Sequence, residues 1–249
     1  MDRRDATPAH SVPAGTLAFD DVCAGYGQGT VIEGVTFDVP RGEVTCLLGR
    51  NGVGKSTLLR TAMGLLEVTR GRIFLGGADL TTQPTYRRAR AGLGYVPQGR
   101  GVFPRLTVRE NLLMGLEADP AGPIGGDARL EPIYMRFPVL ATMANRMAGA
   151  LSGGQQQQLA IGRALVRNPS VLILDEPTEG IQPNIIDEIE ETIRELRDTG
   201  TLAILLVEQF LDFAVAVANR CVVMEKGRVI AQGTPEEIGG SVLRESLSV

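Results

Sequence analysis

Residues 49–57, Gly-Arg-Asn-Gly-Val-Gly-Lys-Ser-Thr, bring together the residue types that hold a phosphate group. Gly49, Gly52 and Gly54 leave backbone N–H groups free to curl round an anion, Lys55 reaches the outer phosphates, and the Ser56 hydroxyl holds Mg²⁺. Arg50, Asn51, Val53 and Thr57 complete the cradle. Its flanks agree with that chemistry. Val44 to Leu48 read as a short buried strand, while Leu58, Leu59, Ala62, Met63 and Leu66 recur at helical spacing. A helix therefore starts at the loop and points the positive end of its dipole at the phosphates.

Two further groups could act on a bound phosphate. The run Val-Leu-Ile-Leu-Asp-Glu-Pro at 171–177 ends a hydrophobic strand in adjacent carboxylates, Asp175 and Glu176. Acids there are either solvated surface groups or, given the upstream cradle, a metal support (Asp175) and a group that orients and polarises a water (Glu176). Leu151-Ser152-Gly153-Gly154-Gln155 offers a hydroxyl and backbone N–H groups at a helix start, which makes either a plain helix cap or a second anion site.

The elements that must position these groups alternate along the chain. Between Leu17 and Val39, apolar and polar residues alternate in short runs broken by the glycines of Ala-Gly-Tyr-Gly-Gln-Gly, which predicts antiparallel strands. Tyr26, in that turn, is either a ring for stacking on a base or an ordinary turn tyrosine. Residues 71–77 read as another hairpin strand. From Gln98 to Ala150 the composition changes to helix-like pieces separated by the Gly/Pro-rich stretch at 118–127, which predicts a helical insertion. A helix over 155–167, with Leu159, Ala160, Ala164 and Leu165 on one face, ends at Asn168-Pro169. Pro183 opens another, striped by Ile185, Ile186, Ile189, Ile193 and Leu196 and closed by Gly200. Strands at 203–209 and 221–227, a helix from Phe210 between them, and a helical stretch from Pro235 finish the pattern. Alternating strands and helices predict an α/β fold with a mainly parallel sheet and right-handed crossovers.

Composition narrows the function. The 249 residues, 43% hydrophobic, suffice for one large domain or two closely joined subdomains. A net charge of −4 gives no electrostatic reason to expect nucleic acid, and the basic cluster Arg87-Arg88-Ala89-Arg90 is too short to change that. Cys23, Cys46 and Cys221 lie in apolar runs without metal-ligand spacing and read as reduced core residues. No apolar run is long enough to span a membrane, and the first residues lack the apolar core of a signal peptide. Residues 1–15 read as a flexible tail holding His10, the single histidine, so the folded part has no histidine for catalysis.

The cradle, the Tyr-Val-Pro-Gln segment ending at Gln98, Leu-Ser-Gly-Gly-Gln and Val-Leu-Ile-Leu-Asp-Glu-Pro, in this order and spacing, resemble the ATP-binding subunit of an ABC transporter. The resemblance covers about residues 17–240. It is greatest to importers of the branched-chain amino acid and urea type. Within them, Glu-Pro-Thr-Glu-Gly-Ile-Gln-Pro-Asn-Ile, Gln-Gln-Gln-Gln-Leu-Ala-Ile and Leu-Leu-Val-Glu-Gln-Phe-Leu-Asp-Phe-Ala are similar to the urea transporter's second ATP-binding subunit.

The resemblance implies a P-loop NTPase fold of the ABC ATPase kind, with an N-terminal antiparallel β subdomain and a helical subdomain at about 98–158 inserted in one domain spanning 16–240, followed by a C-terminal tail at 241–249. It implies ATP and Mg²⁺ as ligands, and Tyr26 stacked on adenine. Gly49 to Thr57 then hold the phosphates and the metal, with Asp175 as a further metal ligand. Gln98 couples metal and water to the membrane partner. Glu176 acts in hydrolysis with Lys55 and Gln209, and Ser152, Gly153, Gly154 and Gln155 bind the γ-phosphate of ATP held by an opposite subunit. The implied partners are a second, related ATP-binding subunit in a head-to-tail dimer, membrane-spanning permease subunits, and indirectly an extracytoplasmic solute-binding protein, with no nucleic acid. The implied location is the cytoplasmic face of the plasma membrane. Arg100, Val102, Phe103 and Pro104 form an expected lip for a permease helix, with core packing the other reading of Phe103. Urea is the expected cargo, a branched-chain amino acid the alternative, and a non-transport ABC ATPase a third reading.

Two positions depart from the wider family pattern. Gln182 stands where an Asp is usual after the hydrolytic Glu, and Gln209 stands where a His is usual after the next strand. Glutamine can hydrogen-bond a phosphate but cannot hold a proton as histidine does.

Overall fold

The carboxyl ends of four neighbouring parallel strands carry most of the candidate residues. In the computed structural model, which describes residues 13–117, 126–240 and 243–244, β3 (Val44–Leu48) is the strand that feeds the glycine loop. It pairs in parallel with β8 (Ala203–Val207), which pairs with β7 (Val171–Asp175), which pairs with β6 (Leu93–Val96). On its other side β3 pairs in parallel with β9 (Arg220–Glu225), and β10 (Arg228–Gly233) closes that edge antiparallel. The six-stranded order is therefore β10-β9-β3-β8-β7-β6. Every residue of β3, β7 and β8 is buried, which is why these segments read as unbroken apolar runs.

The pleat of these strands divides the core. Cys46, Leu48, Leu172, Leu174, Ile204 and Leu206 face one side, while Leu47, Ile173, Leu205 and Val207 face the other. On the second side lie α1 (Lys55–Ala62) and a four-stranded antiparallel sheet of order β2-β1-β4-β5, built from β1 (Leu17–Tyr26), β2 (Gly29–Val39), β4 (Arg70–Leu75) and β5 (Ala78–Asp79). The first side carries α6 (Gly153–Leu165), α7 (Pro183–Asp198) and α8 (Leu211–Val217). The inserted helices α3 (Val108–Met114), α4 (Gly126–Arg136) and α5 (Pro138–Thr142) share that core through Leu112, Leu130, Ile133 and Leu140. A short α9 (Pro235–Ile238) follows β10.

Several expectations change in detail. The helix expected over 155–167 spans Gly153–Leu165, because Ser152 caps it and takes both glycines into the first turn. Its buried face is Leu159, Ala160 and Ile161 with Gln157 and Gln158, while Ala164 and Leu165 are only half buried. Strand β10 was not expected, since only alternate residues of this edge strand are partly covered and no apolar run marks it.

The basic cluster at 87–90 lies on a helix, α2 (Thr85–Ala91), and one of its arginines is structural. Arg88 is 2% exposed and donates to the carbonyls of Thr61, Ala62, Thr81 and Gln83 at 2.7–2.8 Å. It thus caps the last turn of α1 with a cation, where the helix dipole is negative. Cys23, Cys46 and Cys221 are buried free thiols, as the sequence implied. Most of the expected tails, with His10, and most of the Gly/Pro-rich stretch at 118–127 lie outside the described residues, while Leu243 of the expected C-terminal tail is buried in the core.

Candidate active site

Glycine is required at both ends of the 49–54 loop. A side chain at Gly49 would meet the Met224 carbonyl at 2.5 Å, and Gly54 has φ +110° with Ile32 Cγ2 2.8 Å from where a Cβ would sit. Lys55 follows at the start of α1, 5% exposed, and donates to the carbonyls of Gly49 at 2.6 Å and Arg50 at 3.0 Å. Burial lowers its pKa, and the carboxylates of Glu176, Asp175 and Glu208 oppose that shift. A cavity of about 170 Å³ opens here, lined by Val31, Asn51, Gly52, Gly54, Lys55, Ser56, Thr57, Gln98 and Glu176.

Parallel pairing brings the other polar groups to the same edge. Asp175 pairs with Val207 at the end of the β7–β8 ladder, and the Glu176 N–H donates to the Val207 carbonyl at 2.9 Å. Glu176 has φ +48°, a left-handed conformation that costs a non-glycine residue energy and recurs where a side chain must be aimed. Its Oε2 accepts from Gln98 Nε2 at 3.2 Å, and its Oε1 accepts from Gln209 Nε2. Gln98 also donates to Glu179 at 2.9 Å. Asp175 is 6% exposed and accepts from the Tyr95 hydroxyl at 3.2 Å. Burial pushes the Asp175 pKa up, with help from the Glu176 charge and against the Tyr95 hydrogen bond. Burial raises the Tyr95 pKa first, and Asp175 adds to it.

The remaining candidates stand around this centre. Tyr26 is half exposed at the end of β1, and its hydroxyl accepts from Arg60 of α1 at 3.3 Å. Ser152 caps α6 reciprocally: its Oγ accepts from the Gln155 N–H at 3.3 Å and its N–H donates to Gln155 Oε1 at 3.0 Å. Ser152 to Gln155 do not line the cavity beside Lys55. Gln182 is the N-cap residue of α7 and makes no side-chain cap bond.

The expected lip is only partly formed. Phe103, 43% exposed with the Arg163 guanidinium 5.1 Å over its ring, lines a groove of about 330 Å³ with Met63, Leu93, Tyr95 and Met114. Arg100 turns away to Gln156 Oε1 at 3.3 Å and the Gly180 carbonyl at 3.4 Å, and Val102 packs on the core. Neither these two nor Pro104 is among the groove's lining residues.

Sequence reading missed Tyr95, Glu179 and Glu208. Each precedes or follows a recognisable motif, and strand adjacency, which the sequence does not display, brings them in. The 2% exposed Glu208 precedes Gln209 and holds the loops after β7 and β8 together through Thr178.

The arrangement can bind a polyphosphate at α1 and present a carboxylate, held by two amides, to its outer end. Comparison with known proteins shows the family. Residues 32–179 match the family model described as "ABC transporter". The chain is 40% identical over 221 residues to the high-affinity branched-chain amino acid transport ATP-binding protein BraG of Pseudomonas aeruginosa, covering 88% of this chain and 92% of that protein. It is 38% identical over 215 residues to the probable branched-chain amino acid transport ATP-binding protein LivF of Archaeoglobus fulgidus, covering 86% and 90%. The lipopolysaccharide export system ATP-binding protein LptB of Acidithiobacillus ferridurans is 36% identical over 213 residues, covering 86% and 88%. Among solved structures, a nucleotide-free ATP-binding cassette from an ABC transporter superposes with TM-score 0.79 at 28% identity, covering 94% of this chain and 95% of that one. A cassette solved in its ADP conformation gives TM-score 0.78 at 29% identity, covering 93% and 94%. The chain belongs to the ABC transporter family, as an ATP-binding subunit with the ATPase activity that this family couples to transport.

Proposed function

We propose that this ATPase powers import of a branched-chain amino acid, with Glu176 orienting the water that attacks the γ-phosphate. The observation that carries the hydrolytic part is the convergence on Glu176: Gln98 and Gln209 each hold one of its oxygens, and Lys55 and Ser56 line the same cavity. Backbone N–H groups of Gly49 to Thr57 hold the phosphates, Lys55 exchanges its loop carbonyls for phosphate oxygens, and Tyr26 offers its ring to the adenine.

The donor set suits Mg²⁺, which takes hard oxygen ligands and shares them with substrate phosphates. Ser56 would hold it with Asp175 and Gln98 in support, and when bound it neutralises charge on the phosphates. Asp175 is buried against Tyr95, so its ionised form is favoured by a nearby cation.

Ser152 to Gln155 lie apart from the chain's own phosphate cavity, which supports a role toward ATP on another subunit. Two related subunits closing head to tail would place this capped helix start on the neighbour's γ-phosphate, and reopening would follow hydrolysis. In this reading the residues from about 98 to 158 form the helical subdomain that carries this motif within a 16–240 unit. The groove around Phe103 and Arg163 takes a helix of the permease on the cytoplasmic face of the membrane. Among the described residues no helix is long and apolar enough to cross a membrane. A solute-binding protein would deliver cargo to the permease from the other side.

The cargo reading rests on BraG and LivF, whose names specify branched-chain amino acid transport. They favour this alternative over urea, for which the three short segments quoted above remain the only support. The hydrolytic reading is tested with Glu176→Gln in the full chain. ATP binding should persist while turnover falls about 10³-fold, the size expected for loss of a general base. Native turnover in that variant would end the assignment.

A further inference from the structure

Glu208 is buried yet accepts four hydrogen bonds. Oε1 takes the Thr178 N–H at 3.1 Å and the Thr178 hydroxyl at 2.8 Å, and Oε2 takes the N–H groups of Gln209 at 3.0 Å and Phe210 at 3.3 Å. Every partner donates to it in this arrangement, so an ionised carboxylate, which only accepts, satisfies them all. Burial raises its pKa, and these same hydrogen bonds oppose the rise. A desolvated anion is a poor way to gain stability, since apolar residues of similar volume usually do as well. What it supplies is geometry.

That geometry is needed where the sheet stops supplying it. The β7–β8 register ends at Asp175 and Val207, with one more backbone bond from Glu176 to Val207. Beyond this register one loop carries Glu176 in a left-handed conformation and the other carries Gln209. Thr178 lies two residues past Glu176, and the Glu179 N–H returns to the Glu176 carbonyl at 3.2 Å. Glu208 therefore joins the turn that sets the Glu176 backbone to the residue whose amide holds the Glu176 carboxylate.

We propose that Glu208 is a positioning residue for ATP hydrolysis, clamping the Thr178 turn to the Gln209 backbone so that Glu176 and Gln209 keep one relative placement. This rests on the reading of Glu176 as the group that orients water. Glu208→Gln keeps the volume but replaces one accepting oxygen by an NH₂, so one of the two loops faces a donor with donors. Thr178→Val removes one of the four bonds and keeps the shape.

The test measures kcat per ATP-binding site and the Kd for Mg·ATP in the full-length chain, for the native protein, Glu208→Gln, Thr178→Val and Glu176→Gln. A displacement of about 1 Å at a reacting group costs up to about 100-fold in rate. Glu208→Gln should therefore lose about 10- to 100-fold in kcat while Kd stays within about twofold, and Thr178→Val should lose a smaller factor of about three to ten. Native kcat in both, with Glu176→Gln inactive, would overturn the clamp and leave the role of Glu176 standing. Native kcat in Glu176→Gln would overturn that role and the clamp with it. If Glu208→Gln does not fold, Thr178→Val decides by the same criterion.

Discussion

Gln209, two residues past the end of β8, donates its side-chain amide to Oε1 of Glu176, the residue after β7. The two lie 33 residues apart in the chain and meet because β7 and β8 are parallel neighbours whose carboxyl ends coincide. With Gln98 on the other oxygen, Glu176 is held by two neutral amides.

An amide in this place holds the carboxylate through its N–H but neither takes up nor releases a proton near neutral pH, so turnover in the native chain should show no titration near the histidine pKa of about 6.5. Gln209→His should raise turnover several-fold and introduce such a limb, read from kcat against pH in the full chain. Unchanged turnover would show that the glutamine does not limit the rate.

Asp175 and Glu208 both titrate higher in the folded chain than in an unfolded one, chiefly because burial disfavours their charges. Between the two pKa values the folded state therefore holds more protons. Their contribution to stability is fully present below the unfolded pKa, near 4, and is lost as pH rises through the folded values. Acidification thus removes charges that turnover uses without weakening the fold through these groups. The acid limb of kcat/KM, which reports the chain before Mg·ATP binds, should lie above the ordinary carboxylate range, with the melting temperature still near its neutral value there. A limb at about pH 4 or below would contradict the burial argument.

The backbone carbonyls around Arg88 give a stability prediction remote from the chemistry. Arg88→Ala leaves four carbonyls, two from the last turn of α1, without their buried donor. The loss should be about 3 kcal/mol or more, measured by denaturant unfolding. Arg87→Ala and Arg90→Ala, on exposed positions of the same helix, should each change stability by less than about 0.5 kcal/mol.

These contrasts mark what was legible in the chain. The strand, loop and helix around Lys55 could be read because phosphate binding needs particular residue types at fixed local spacing, and β7 because a buried parallel strand is a continuous apolar run. The meeting of Gln98, Glu176 and Gln209 was implied only by family resemblance, since their contact depends on strand order. Glu208 and Arg88 were passed over because a charged residue in sequence looks solvated until its buried acceptors or donors are seen. Strand β10 gave no signal, being a half-exposed edge whose pairing comes entirely from β9.

The central claim joins this site to import of a branched-chain amino acid, and uptake measures both together. Cells lacking the chain would be supplied with the native protein or Lys55→Ala, and uptake of labelled leucine and labelled urea followed. Leucine uptake restored by the native chain alone is the expected result. Restoration of urea uptake instead, or equal restoration of leucine uptake by Lys55→Ala, would contradict the account.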